Sequence, residues 1–276
     1  MSELAVPILG IQGIMPELIL SVVAAIVLLL EMTVGDREGR GALSLSVAGF
    51  ILAFIATFGA DGNLVFSSLL VNDNLSALLD RVFLMAALLV TLVSRSYLAN
   101  YGLANSEFFV LVLLATVGMM VMGAATDFIT IFLGLEMLSL SLYVLAGFFK
   151  KDVLSGEAAF KYFILGAFAT GFLVFGIAFV FGALGTTNFG AIAQALSGGS
   201  PQLVSVPSLL FGLALILAGL GFKISLVPFH TWVPDVYTGA PTPVTALIAT
   251  GSKAAGFAAL VRIFMITFPG SFEYWG

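Results

Sequence analysis

The sequence predicts an all-α, polytopic membrane protein of eight spanning helices, the seventh of them discontinuous. Three observations carry this. Of the 276 residues 61% are hydrophobic and only 9% charged, with a mean hydropathy of +1.17, against about 25% charged residues in soluble domains. The apolar residues gather into runs of about 20, the length that crosses a bilayer core of about 30 Å. Finally, LVPFHTWVPDVYTGAPTPVTA (226–246) holds four of the nine prolines and directly follows an apolar run that ends near Lys223. Proline lacks the N–H that a helix interior requires and clashes with the preceding turn, so no continuous helix crosses this stretch.

Taken in order, the apolar runs lie at 14–33, 41–60, 75–98, 107–124, 128–149, 157–183, 207–226 and 242–268, with 227–241 a broken continuation of the seventh. Short connections imply antiparallel neighbours in one bundle with no soluble domain. Residues 1–12 lack the basic segment of a cleavable signal. With the N-terminus outside, the inner loops hold Arg37, Arg40, Arg95, Lys150 and Lys151. The outer loops (61–74, 125–127, 184–206) then carry Asp61, Asp73 and Asp127 and no basic residue. Lysine and arginine concentrate on the cytoplasmic side, so the expected topology is N-out and C-out.

Residue types exclude several chemistries. With no cysteine the chain holds neither a thiolate-ligated iron–sulfur cluster nor a disulfide. A single histidine, His230, excludes paired axial histidines for haem and disfavours zinc. No cofactor is expected on this chain, and any redox chemistry belongs to partner chains. The 30 glycines read as helix-packing positions, since no GxGxxG follows a strand. The net charge of −5 assigns no partner, and no feature points to nucleic acid.

Within the spans stand Glu136, Lys161, Lys223, Lys253 and Arg262, with Asp80 and Arg81 near the outer end of the third. A charge at bilayer depth is costly and marks function by default. Glu136 lies about 13 Å into the fifth span, Lys161 roughly 6 Å into the sixth and Lys253 roughly 18 Å into the eighth, at 1.5 Å per residue. Ser139 and Tyr143 extend a polar stripe from Glu136 toward the inner end. Such a set suits reversible protonation, because burial favours the neutral amine of a lysine and a nearby carboxylate favours its charged form. His230, in the break, is placed to pass protons between water and Lys223. The carbonyls freed around Pro228 and Pro234 offer anchors for ordered water. The pattern reads as an ion pathway.

A structural reading stands beside each of these. Lys161 and Arg262 have the length to snorkel to an interface. Asp80 and Arg81 suit an interfacial pair or a subunit contact, and His230 a bond to a carbonyl of the break. Glu136 and Lys253 suit a buried salt bridge, and Ser139 and Ser141 plain helix packing.

Residues 221–257, GFKISLVPFHTWVPDVYTGAPTPVTALIATGSKAAGF, resemble the subunit N family of bacterial respiratory complex I, the proton-translocating NADH:quinone oxidoreductase. FLGLEMLSLSLYVLAGF (132–148), EAAFKYFILGA (157–167) and MPELILSVVAAIVLLLEM (15–32) are similar to helices of the same family. The likeness covers essentially the whole chain. The related cation/proton antiporter subunits and membrane hydrogenases share the PFH-W-PD pattern, while DVYTGAPTPVTA favours subunit N; an antiporter subunit and a non-pumping scaffold are the alternatives. The resemblance implies that Glu136, Lys161, Lys223, His230 and Lys253 are members of the family's proton relay. It implies NADH, FMN, iron–sulfur clusters and quinone on other subunits. It also implies partners among the antiporter-like M and the small K, J and A subunits of the membrane arm, and a bacterial inner membrane as location.

In that family helices 4–8 form a five-helix repeat with an inverted second copy, a plan common among transporters. Residues 1–103 correspond to helices 1–3 and 104–276 to the first repeat. The second repeat, with its outlet lysine, is absent from these 276 residues, and the expectation is a piece of a longer or split subunit.

Overall fold

The computed structural model describes residues 12–34, 39–59, 63–65, 68–103, 106–197 and 206–267. Eight helices among them are long and apolar enough to cross a bilayer. They comprise α1 (Met15–Val34), α2 (Arg40–Ala56), α3 (Asn74–Ala99), α4 (Ser106–Ala124), α5 (Phe128–Ala146), α6 (Val153–Leu184), α8 (Val206–Ile224) and an eighth span in pieces. Those pieces are α10 (Thr242–Leu247), a π turn (Ile248–Ser252), α11 (Lys253–Val261) and a second π turn (Arg262–Thr267). Two short helices complete the set: α7 (Phe189–Ser197) lies between the sixth and seventh spans, and α9 (Val233–Gly239) follows the break after α8. The eight-span, all-α expectation holds, with the break where the prolines placed it. Arg37 and Asp61 of the orientation argument, and both chain ends, lie outside the described residues.

Aspartates start three of the long helices. Asp73 accepts from Ser76 N at 2.8 Å, and the Ser76 hydroxyl accepts from Asp73 N at 2.9 Å, a reciprocal box at the start of α3. Asp127 accepts from Ile129 N at 2.8 Å ahead of α5, and Asp152 from Leu154 N at 2.9 Å ahead of α6. At the end of α8, Ser225 takes a left-handed conformation (φ 63°), and Leu226 N donates to Gly221 O at 2.8 Å. That closes α8 before Pro228, at the cost of a strained non-glycine residue.

The helices meet through small residues, as glycine-rich membrane helices do. A Cβ on Gly118 of α4 would lie 2.6 Å from Leu138 N and 2.7 Å from Gly134 O of α5. One on Gly176 of α6 would lie 2.6 Å from Gly212 O of α8. These backbones approach as closely as glycine permits. α4 is almost wholly enclosed, while Phe160, Phe168, Leu29 and Val93 stand exposed around the bundle, a surface suited to lipid or to neighbouring membrane helices.

At the opposite end from Lys150 and Lys151, the loops knit together. Asn63–Val65 and Leu70–Asn72 form a small antiparallel hairpin, β1 and β2. Thr126 N donates to Leu69 O, Asn188 Nδ2 to Ser68 O and the Thr187 hydroxyl to Asp127 Oδ2. Neither the hairpin nor α7 was expected, and the contacts that dock them join residues tens of positions apart.

Two sequence readings are corrected here. Arg262 does not snorkel. Only 1% exposed, it holds Asp73 with two parallel bonds, Nη1–Oδ2 at 2.7 Å and Nη2–Oδ1 at 2.6 Å, and its Nε donates to Gly123 O at 2.9 Å. The eighth span is thereby tied to the start of the third and the end of the fourth. Asp80 and Arg81 form no pair, because consecutive residues point about 100° apart around a helix. Asp80 is buried, whereas Arg81 reaches Thr57 (Nε to Oγ1, 3.0 Å) and covers the Phe58 ring at 4.2 Å.

Burial pushes the Asp73 carboxyl up, but the Arg262 bonds together with those from Ser76 hold it below its ordinary value. Arg262→Met should therefore destabilise the protein by about 2 kcal/mol. That is below the cost of about 3–5 kcal/mol for breaking a fully buried pair, because the Asp73 side chain is one-third exposed. A carboxyl whose folded pKa is depressed stabilises above its unfolded value of about 3.9 and loses that contribution as pH falls through its folded value. Acid titration of the detergent-solubilised protein should show this loss below about pH 4, and Asp73→Asn should abolish that component.

Candidate functional site

Lys223, in the last turn of α8, is only 2% exposed. Its Nζ donates to Ser139 Oγ of α5 at 2.9 Å and lies 5.7 Å from the centre of the Tyr162 ring of α6. Glu136, one turn before Ser139, accepts from Thr170 Oγ1 of α6 at 2.8 Å. A small cavity of about 10 Å3 lies between α5, α6 and α8, lined by Ser139, Tyr143, Thr170 and Lys223 among apolar neighbours. Lys223 lines this space and Glu136 is tied to it through Thr170, each charge bound to a hydroxyl and not to the other. Within 4.0 Å neither Glu136 nor Lys253 forms a salt bridge with any described residue, so the structural ion-pair reading of these two is not what the geometry contains.

The break is held by aromatic packing. In the last turn of α8, Phe222 O accepts both from Ser225 N and from Trp232 Nε1, each at 3.1 Å. The fully buried Trp232 ring stacks on Tyr162 at 4.7 Å and 14°, and leans on Phe222 at 5.1 Å. Tyr143 packs edge-on to Tyr162 at 4.8 Å and lies over Gly166, where any Cβ would collide with its hydroxyl.

Lys253 follows the π turn, half-buried, with Nζ 5.6 Å from the centre of the Tyr237 ring of α9. Tyr237 in turn touches Trp232 at 6.2 Å. Lys161 is 38% exposed, pairs with Glu157 one turn earlier at 2.6 Å and with Asp235 of α9 at 2.7 Å. It links α6 to the segment after the break, with the wholly buried Tyr162 as its sequence neighbour. His230 lies exposed in the break. The structure therefore brings Glu136, Lys223 and Lys253 around one aromatic partition, with Lys161 at its rim and His230 outside it.

Sequence reasoning missed several members of this arrangement. Thr170, Tyr162, Trp232, Tyr237 and Asp235 are ordinary residues in composition, and only their convergence distinguishes them. Glu17 was passed over within the first apolar run. It is buried in α1 with Oε2 unpartnered, as is Oδ1 of Asp80, and its signal was simply an acid inside a span.

Comparison with known proteins follows the same lines. Residues 125–275 match the family described as NADH:quinone oxidoreductase/Mrp antiporter, TM. NADH-quinone oxidoreductase subunit N of Trichlorobacter lovleyi is 44% identical over 271 residues, covering 97% of this chain and 55% of that protein. A chain of respiratory complex I from Thermus thermophilus superposes with TM-score 0.76 at 34% identity, over 90% of this chain and 52% of its own length. A chain of the Mrp complex from Dietzia sp. gives TM-score 0.75 at 23% identity over 96% of this chain and 50% of that one, a likeness of fold alone. The chain spans about half the length of the curated relatives it matches.

Trp232→Phe keeps an aromatic ring in the stack but removes the donor to Phe222 O. Phe222 O keeps its bond from Ser225 N at 3.1 Å, so the loss is that of one buried hydrogen bond, about 0.5–1.5 kcal/mol, and this variant should unfold at slightly lower temperature in detergent. Trp232→Leu, which also removes the ring, should be lower still.

Proposed function

Because this chain belongs to the NADH:quinone oxidoreductase/Mrp antiporter transmembrane family, we propose that it serves as the antiporter-like subunit N of a proton-pumping NADH:quinone oxidoreductase. Quinone reduction elsewhere in the complex shifts charge along the membrane arm and moves Glu136 relative to Lys223. Lys223 then gains or loses a proton and exchanges it with Lys253. Lys161, tethered by Glu157 and Asp235, stands at the inner rim, and His230 at the water-facing side of the break. The observation that carries this reading is a lysine almost fully enclosed beside a broken helix, bound only to a neutral hydroxyl and lining a small cavity with Thr170, which donates to the Glu136 carboxylate. Such a lysine loses its charge at modest cost, and a carboxylate that moves closer or further away sets how tightly the proton is held.

In this reading residues 104–276 form the first five-helix antiporter repeat and 1–103 the three helices before it. The chain lies in a bacterial inner membrane with its N-terminus outside, beside the M-type and small K, J and A-type subunits. NADH, FMN, iron–sulfur clusters and quinone belong to other chains. Identity of 44% to a subunit N favours this over the cation/proton antiporter alternative, whose solved relative stands at 23%.

In the assembled complex carrying this chain, Glu136→Gln and Lys253→Met should each lower proton translocation and quinone reduction together by at least about tenfold, the scale of general acid–base contributions. The amount of complex recovered should be unchanged. Wild-type pumping by the assembled Glu136→Gln enzyme would remove Glu136 from the relay, and loss of assembly in Lys253→Met with normal activity per complex would favour a scaffold.

A further inference from the structure

We infer that Arg262 is a positioning residue for Lys253: by gripping Asp73 and Gly123 it fixes the rotation of α11, and with it the direction in which Lys253 faces Tyr237. This rests on the relay proposed above, in which Lys253 takes part.

The eighth span does not set that rotation through its own backbone. Lys253–Val261 is α-helical, but Ile248–Ser252 before it and Arg262–Thr267 after it are π turns. A π turn carries one residue more than an α turn, and each residue turns a helix by about 100°. The direction of Lys253 is therefore not inherited from α10, and α11 has to be held by its own contacts. Its buried face is made of Ala255, Gly256, Ala258 and Ala259, and a Cβ on Gly256 would lie 2.6 Å from Ile224 Cγ2 of α8. Small residues allow such close packing, but they present little shape that resists turning. In the π turn before α11, Gly251 packs on the sulfur of Met119, a flexible side chain that adapts to its neighbours. Lys253 has no hydrogen-bond or ion-pair partner among the described residues and only faces the Tyr237 ring, Nζ to ring centre 5.6 Å.

The grip comes from the far end. Arg262 follows α11 directly, about 13 Å along the axis from Lys253, and its side chain is 1% exposed. Nη1 and Nη2 donate to the two Asp73 oxygens at 2.7 and 2.6 Å, and Nε donates to Gly123 O at 2.9 Å. Two parallel bonds to a carboxylate fix the plane of the guanidinium as well as its position. The third bond, to a different helix, removes the freedom that remains. Both acceptors are themselves anchored, Asp73 in its box with Ser76 and Gly123 against Phe83 and Leu79 of α3. A slip of one residue at the π turn would swing the Lys253 amine by on the order of 8 Å around the helix axis, away from Tyr237. The clamp forbids that slip. A lysine at 262 would keep the charge and lose the fork.

Arg262→Lys tests this, beside Asp73→Asn and Lys253→Met. Proton translocation is measured per assembled complex. Rotation of α11 is read in the detergent-solubilised chain from the reaction of a lipid-soluble maleimide with a cysteine introduced there, since the chain has none of its own. With Arg262 in place, Phe257→Cys, at a position 56% exposed, should react, and Ala255→Cys, at a fully enclosed one, should not. Arg262→Lys should erase that contrast. It should also lower translocation at least about tenfold, since a misplacement of about 1 Å already costs on the order of a hundredfold, with the amount of complex recovered unchanged. Asp73→Asn, which leaves one oxygen for the fork, should do the same, and it decides if Arg262→Lys fails to assemble. A purely structural role would reduce the amount of complex and leave the labelling contrast intact. An assembled clamp variant with native translocation, or with lowered translocation and an unchanged contrast, would overturn the positioning role, and an impaired Lys253→Met beside it would leave the relay standing. Native translocation in Lys253→Met would overturn the relay and the positioning role with it.

Discussion

A helix that stops inside a bilayer must find partners for its last carbonyls within the protein, because hydrocarbon offers none. This constraint organises the molecule. α8 stops at Ile224, with Ser225 turned into a left-handed conformation, and the indole of Trp232 returns from beyond the break to meet Phe222 O. The indole can do so only because Tyr162 and Phe222 provide flat surfaces for it to stack upon. Lys223, one residue after Phe222, is thereby enclosed within the same group of rings. The need to satisfy a backbone at depth and the enclosure of a lysine are two consequences of one break.

Lys223 packs against the Tyr162 ring and is bonded to a single neutral hydroxyl, while Glu136 is held on Thr170 instead of closing onto it. A direct ion pair would fix both charges; two separate hydroxyl bonds leave the distance between them adjustable. Lys161 differs in kind. Half in water and pinned by two carboxylates, it joins α6 to α9 and steadies the segment after the break.

The remaining helices hold this arrangement still. Glycine contacts bring α4 onto α5 and α6 onto α8 at backbone distance, so the polar groups on their facing sides stand within reach of one another. Arg262, fully buried, clamps the last span to Asp73 and to Gly123 O. Lys253, in the same span, therefore has its depth and rotation set from the opposite end of the helix.

The spans, the break and the presence of interior charges were legible in the sequence because each depends on local physics. Run length matches bilayer thickness, proline removes a donor, and a charge among twenty apolar residues stands out wherever it points. What was not legible depends on direction and on distance along the chain. Arg262 read as a snorkeller because nothing near it announces Asp73, 189 residues earlier. Asp80 and Arg81 read as a pair because they adjoin, although a helix points them apart. His230 and Lys223 read as partners by proximity in sequence, yet the turn between them sends the imidazole outward and brings the indole two residues later inward. By itself the sequence determined how many helices cross, where one of them breaks and which charges lie at depth. Only the tertiary structure decided which partners each of those charges meets, because that follows from how helices rotate against one another, and rotation is set by glycine contacts and ring stacking between residues far apart in the chain.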